Sequence, residues 1–216
     1  IRTHVLFATL RNSIQGDLGQ LTVKQDANNV VAAALAEKLL TVVIEVLQKD
    51  EEKGRASLDS MIELTSTHAD IWNGQISMLI NVASQIMKNR EFEQETRTSA
   101  LEIVVTLSEQ MATLLRKSVS DLKDNLIPAI AYMMTEVDLA DDLEAWLEEE
   151  ELDIQAKQDP ANVAAEAIQR ISVYLGEKTT LVTCSDLIKS AIQSADWKEQ
   201  WMGFKFLGMI SEACTK

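Results

Sequence analysis

One apolar spacing returns four times along the chain, and it limits the fold more than any other feature. In SLDSMIELTS, Leu58, Met61, Ile62 and Leu64 stand at relative positions 0, 3, 4 and 6. ALEIVVTLSE repeats this 43 residues later with Leu101, Val104, Val105 and Leu107. AIQRISVYL follows after another 67 residues with Ile168, Ile171, Ser172 and Tyr174, and FKFLGMISE a further 36 on with Phe204, Leu207, Gly208 and Ile210. Steps of three and four place such residues on one face of an α-helix. The intervals fit a unit of about 40 residues, provided that one unit carries an insertion of roughly 25.

A two-helix unit of that length is the HEAT or armadillo period. One such unit cannot bury its apolar face alone, so neighbours stack into a solenoid with a concave wall. Composition agrees: two prolines and seven glycines in 216 residues leave few hairpins or sheet bends, which argues against an all-β chain. The expected fold is all-α, a HEAT-repeat solenoid of antiparallel helix pairs forming one array over 1–216. Residues 1–30 read as a partial repeat and connector, followed by units at 31–68, 69–117, 118–178 and 179–216, with an insertion at 138–158.

The local signals predict helices over 1–14, 29–48, 51–67, 71–88, 92–116 and 117–136, the last kinked at Pro128. Asp159 and Pro160 form an N-cap and first-turn proline, and Gly176 suits a left-handed C-cap after Leu175. Two more helices are expected over 181–194 and 198–213, with Ser194 or Asp196 capping and Trp197 packing beneath. The stretch containing Gly16 and Gly19 gives no assignable pattern.

Charge is concentrated in the oversized unit. Overall, 34 acidic residues face 20 basic ones, a net charge of −14. Between residues 124 and 156 there are 11 acidic residues and no basic one, so the remaining 23 acidic and 20 basic residues leave only −3. A surface of this sign repels phosphate backbones and anionic lipid, so neither nucleic acid nor membrane is expected as a partner; basic proteins are. The richest apolar run, 30–47, is interrupted by Glu37, Lys38 and Glu45 and is not a membrane span. Cys184 and Cys214 imply no disulfide framework. The chain starts at Ile1 without a signal-peptide pattern, and both ends lie in helix-like sequence, so it is expected to be part of a longer protein.

No motif points to catalysis. His4 and His68 lie in no HExxH pattern, and GxGxxG, GxxxxGK[ST] and CxxC are all absent, so neither a cofactor nor a metal is expected. The stretch DLADDLEAWLEEEELD at 138–153 lacks the alternating oxygen ligands and sixth-position glycine of a calcium loop. It does hold Trp146 between Leu143 and Leu147, which a wholly solvated tether has little need of. It reads either as an amphipathic turn pinned to the solenoid or as an aromatic anchor with carboxylates that steer basic side chains. A second candidate group lies on the repeat helices, where Glu109 and Glu212 occupy equivalent places and Asp196 and Glu199 open the last helix. Trp201, four residues after Trp197, shares a face with it and could line a peptide groove, while Trp197, Trp201, Phe204 and Phe206 are otherwise expected in the core between repeats. Met133 and Met134 are expected as packing filler.

ALEIVVTLSE (100–109), the acidic stretch with its tryptophan (138–153) and DWKEQWMGFKFLGMISEAC (196–214) resemble the importin-β (karyopherin-β) superfamily, nearest to the karyopherin-β3 branch that imports ribosomal proteins and histones. The likeness in order and spacing covers about 58–216; the first 50 residues match in helical character alone. It implies a central part of a non-enzymatic receptor of about twenty HEAT repeats that shuttles between cytoplasm and nucleus. Such receptors bind basic nuclear-localisation segments on the concave face, contact nucleoporins, and release cargo when the GTPase Ran binds in its GTP form. The family's acidic loop, which contacts Ran and influences release, corresponds to Asp138, Asp141, Asp142, Glu144, Trp146, Glu148, Glu149, Glu150, Glu151 and Asp153. This chain lacks the unbroken aspartate run of some relatives, so individual contacts do not carry over. The N-terminal repeats that supply the principal Ran contact are also missing, so this piece alone is expected to bind Ran weakly. The alternative is a HEAT scaffold subunit of a non-transport complex.

Overall fold

The computed structural model describes residues 25–137, 159–211 and 213; the regular elements among them are all helical, with no strand. The chain divides into two compact units, Ile1–Ser118 and Val119–Lys216. Each unit contains two helix pairs within its described residues.

In the first unit, α1 (Gln25–Lys49) and α2 (Glu51–Thr67) form one pair, and α3 (Ile76–Lys88) and α4 (Gln94–Leu115) the next. Helix α1 begins earlier than its apolar pattern predicts, and buries Ala36, Leu39, Leu40, Val43 and Leu47 at helical spacing. Asp50 alone separates α1 from α2. Its carboxylate accepts the Lys53 N–H at 3.2 Å and pairs with the Lys53 ammonium, which holds the Asp50 carboxyl below its ordinary range. The second helices, α2 and α4, pack side by side. Arg55 reaches Glu93 at 3.2 Å and the Ser99 hydroxyl donates to Asp59 at 2.9 Å between them. The buried Arg97 donates through Nε to the Met87 carbonyl at 2.8 Å, placing a cation at the C-terminal end of α3.

The helix expected from residue 71 starts instead at Ile76. A 3₁₀ turn, Ala69–Trp72, precedes it and packs against α1, α2 and α4, and Gly74 at φ +85° takes the chain into α3. Burial of Trp72 in the first-unit core accounts for the turn: its ring is fully enclosed, and Nε1–H donates to Thr65 Oγ1 at 2.9 Å.

Gly54 marks the closest approach within the first pair. A Cβ there would lie 2.4 Å from Leu47 Cδ2 and 2.8 Å from Leu47 Cα, and the second of these is backbone that cannot rotate away. Alanine favours an exposed helix interior over glycine by about 1 kcal/mol, but overpacking a tight core costs about 1–3 kcal/mol. Gly54→Ala is therefore expected to lower the urea midpoint, a net destabilisation that the reverse sign would refute.

The second unit opens with α5, a succession of a short turn Val119–Asp121, a π-helical segment Leu122–Leu126 and a regular segment Ile127–Met134. The expected disturbance at Pro128 takes the form of this widened turn. A proline ring clashes with the carbonyl four residues earlier, here Asp124, and the ladder opens so that the Ile127 N–H bonds to the Leu122 carbonyl. The second pair is α7 (Glu177–Ile192) and α8 (Trp197–Ser211), and α6 (Pro160–Leu175) completes the first. Helix α6 starts as predicted: the Asp159 carboxylate accepts the Ala161 N–H at 3.1 Å, with Pro160 in the first turn. Gly176 has the positive φ expected, +76°, but its ψ of 163° is extended, outside the left-handed helical well. Helix α7 consequently begins at once, at Glu177, four residues before the predicted Leu181.

Helix α6 packs against α8, so the second helices again lie side by side. Met133, Met134, Ile168, Ile171, Cys184, Ile188 and Phe206 are buried in this unit. Lys123 and Asp186 join α5 to α7 at 2.7 Å; the bond holds the Lys123 ammonium above its ordinary pKa and the Asp186 carboxyl below its own.

All four apolar strings of the sequence pattern fall on the second helix of a pair: α2, α4, α6 and α8. Leu58, Met61, Leu101, Val104, Val105, Leu107, Ile168 and Ile171 are buried as expected. In α8 the register fails. Phe204 and Leu207 are 60% and 47% exposed, whereas Met202, Gly203, Phe206 and Ile210 face the core. Gly203 shows why that face is the inner one, since a Cβ there would stand 3.0 Å from Ala191 Cβ of α7.

Candidate functional site

The start of α8 brings together three members of the second candidate group, Asp196, Glu199 and Trp201. The Asp196 carboxylate accepts the Lys198 N–H at 2.8 Å, and the Asp196 N–H in turn donates to Ser194 Oγ at 3.1 Å. This is an N-cap of the expected kind, and a carboxylate there is favoured by the helix dipole. Asp196 and Glu199 are exposed, and Trp201 is half-buried one turn further along. The expectation that Trp197 packs beneath the cap fails. Its ring is 46% exposed, with the Lys198 ammonium 5.6 Å from the ring centre, a cation–π distance.

The aromatic cluster of α8 therefore divides by face. Phe206 alone of the four is core; Trp197, Trp201 and Phe204, at i, i+4 and i+7, form a stripe on the opposite side of the helix. Glu109 belongs to the first unit, half-buried on α4 two residues before Met111, whose φ of −128° and ψ of 34° interrupt the helix.

Asp138, Asp141, Asp142, Glu144, Trp146, Glu148, Glu149, Glu150, Glu151 and Asp153 lie outside the described residues, as do Glu212, His4, Cys214 and the helix predicted over 1–14. The residue immediately before the acidic stretch is described. Val137, buried after the end of α5, offers its carbonyl to Lys198 Nζ at 3.0 Å. A lysine of the α8 first turn thus holds the residue that precedes Asp138. Sequence reasoning missed Lys198, because a contact across 61 residues leaves no local pattern; a lone cation between Asp196 and Glu199 was the available signal.

His68 is half-buried, its Nδ1 2.9 Å from Thr67 Oγ1, and Cys184 is buried in the second unit. Among the described residues, no group of three His, Cys, Asp or Glu side chains comes together as a metal site. No described helix is long and apolar enough to cross a membrane.

Comparison with known proteins shows what this chain is similar to. The family model described as the importin repeat matches residues 89–182, a span that encloses the acidic stretch. Importin subunit beta-3 of Saccharomyces cerevisiae is 26% identical over 183 residues, which are 84% of this chain and 17% of that protein. A probable importin-5 homolog of Dictyostelium discoideum is 25% identical over 196 residues, 87% of this chain and 18% of its own. The chain thus spans about a sixth of the length of these curated relatives. The crystal structure of Kap121p shares the fold, with a TM-score of 0.77 at 23% identity over 84% of this chain and 18% of that one. Kap121p bound to Nup53p and Kap121p bound to Pho4p each give 0.76, at 23% and 24% identity over the same shares. This chain is thus similar to the importin repeat over residues 89–182, to curated importins over most of its length, and to Kap121p in fold.

Proposed function

We propose that this chain is the part of a nuclear transport receptor that recognises basic cargo and responds to Ran, acting by binding and without catalysis. The carrying observation is the concentration of charge: 11 acidic residues and no basic one between positions 124 and 156, inside the span matched by the importin repeat. In this reading the acidic stretch 138–153 meets Ran or the cargo, and Glu109, Asp196, Glu199, Trp201 and Glu212 serve the concave face. Carboxylates attract Lys-rich segments and steer their approach, and exposed aromatic faces accept lysine stems and ammonium groups. The cargo class is basic nuclear proteins such as ribosomal proteins and histones. Nucleoporins are further partners, and the receptor moves between cytoplasm and nucleus; Kap121p, a relative in fold, has been crystallised bound to Nup53p.

A nucleotide-dependent displacement assay tests this reading. The complete receptor, loaded with a Lys-rich cargo, is challenged with Ran in its GTP or GDP form. Release by the GTP form alone is expected. Retention of cargo under both forms would instead indicate a scaffold of a non-transport complex.

A further inference from the structure

We propose that a cleft in the first unit, between the C-terminal ends of α1 and α3, docks an extended peptide segment in which an apolar residue stands two positions before a lysine or arginine. The site goes beyond the function proposed above and uses none of the residues assigned there. The second helices α2 and α4 pack side by side, but the first helices leave a cleft of about 520 Å³ between them. That lies within the usual size of a ligand site, about 300–1,000 Å³. Its floor is apolar. Leu47 of α1 is buried there, as are Val82 and Ile86, which share one face of α3.

The rim is polar, and its side chains are already held. Gln85 Nε2 donates to Asn81 Oδ1 at 3.3 Å, and Asn89 Oδ1 accepts the Glu91 N–H at 3.0 Å. Each amide keeps its other half, the Gln85 oxygen and the Asn89 nitrogen, for the backbone of a bound peptide. Glu51 Oε1 accepts the Glu93 N–H at 2.6 Å, which fixes that carboxylate at the start of α2. Groups ordered before binding cost less to immobilise. Among the described residues the lining holds two carboxylates, Glu51 and Glu91, and no cation. The cations of the first α2 turns are engaged elsewhere, Lys53 with Asp50 and Arg55 with Glu93.

An apolar floor beside an acidic rim selects the occupant. In an extended segment, residues i and i+2 point to the same side, about 7 Å apart. A leucine covers the floor while a lysine at i+2 meets Glu51 or Glu91, and the amides meet the peptide groups between them. A wholly apolar segment leaves both carboxylates unanswered, and an acidic one is repelled.

Photo-crosslinking in the full-length protein tests the proposal, with the peptide Gly-Ser-Leu-Ser-Lys-Ser-Gly carrying a photoreactive leucine. Crosslinks are read by position, so binding elsewhere on the chain does not contribute. They are expected within 44–51 or 82–92, the segments that line the cleft. Glu51→Gln combined with Glu91→Gln is expected to raise the peptide concentration for half-maximal cleft labelling about fivefold, the combined effect of two exposed ion pairs. Glutamine keeps an oxygen to accept the Glu93 N–H. Gln85→Trp, at an exposed lining position, is expected to abolish cleft labelling by filling the space. Peptides with glutamate or leucine in place of the lysine are expected to label the cleft at least about fivefold more weakly. Crosslinks confined to other segments, equal labelling by the three peptides, or an unchanged midpoint in the doubly substituted protein would each overturn the proposal.

Discussion

Replacing Trp72 by alanine is expected to destabilise the chain by about 3–5 kcal/mol, the usual cost of removing a fully buried large aromatic side chain. The ring is 0% exposed and sits on a turn that packs against α1, α2 and α4, so three helices lose a common surface at once. Such a loss is a large share of the 5–15 kcal/mol that holds a typical domain folded. Trp72→Phe separates the two contributions. It retains most of the apolar contact and deletes the Nε1–H bond to Thr65, whose hydroxyl still donates to the Met61 carbonyl at 2.7 Å. A cost of about 1 kcal/mol is expected for the lost bond, with some added for the smaller ring. Urea denaturation of the three proteins checks both figures, and an alanine variant as stable as the phenylalanine variant would contradict the packing described.

The second large effect lies in α8 and discriminates between its two faces. Phe206→Ala is expected to cost about 3–5 kcal/mol, because Phe206 is fully buried where α8 meets α6 and α7. Phe204→Ala, two residues away, is expected to change stability by no more than about 0.5 kcal/mol, since that ring is 60% exposed. The sequence reading places both Phe204 and Phe206 inward and predicts comparable losses for the two. A thermal or urea comparison of the two variants therefore tests the register of the helix directly.

The outward position of Phe204 shows where sequence reading stops. In α4 a single apolar face runs through Leu101, Val104, Val105 and Leu107, and the pattern allows one answer. In α8, Trp197, Trp201, Phe204 and Leu207 compose one apolar stripe and Met202, Phe206 and Ile210 another, so periodicity is satisfied either way. Only the approach of α7 to Gly203 decides between them, and that is a tertiary fact. Local chemistry was legible where it is local: Asp159 with Pro160 starts α6, and Glu51 and Thr67 bound α2 as expected. The disturbance at Pro128 was legible, but its form, a π-helical segment with Leu122 and Leu126 buried, was not. Trp72 lay within a stretch that reads as helix, and burial of its ring in the first-unit core converted the helix start into a 3₁₀ turn.

The candidate site divides in the same way. Asp196 as a cap and Asp196, Glu199 and Trp201 at one helix end were readable from spacing. The outward turn of Trp197 and the hold of Lys198 on Val137 were not, because they arise from the meeting of α5 and α8. Glu109 was grouped with these residues by repeat position, and it lies on α4, in the other compact unit.

In the function proposed, a helical framework of nearly balanced charge carries an acidic stretch that meets basic partners. The most direct test is the affinity of the complete receptor for a Lys-rich cargo segment, measured over a range of salt, before and after Glu148, Glu149, Glu150 and Glu151 are changed to glutamine. Coulomb attraction between exposed groups is screened beyond about 8 Å at physiological salt, so affinity should fall as salt rises. The neutralised receptor is expected to bind at least about tenfold more weakly at low salt and to show a shallower salt dependence. Identical affinities and identical salt slopes for the two receptors would contradict the account.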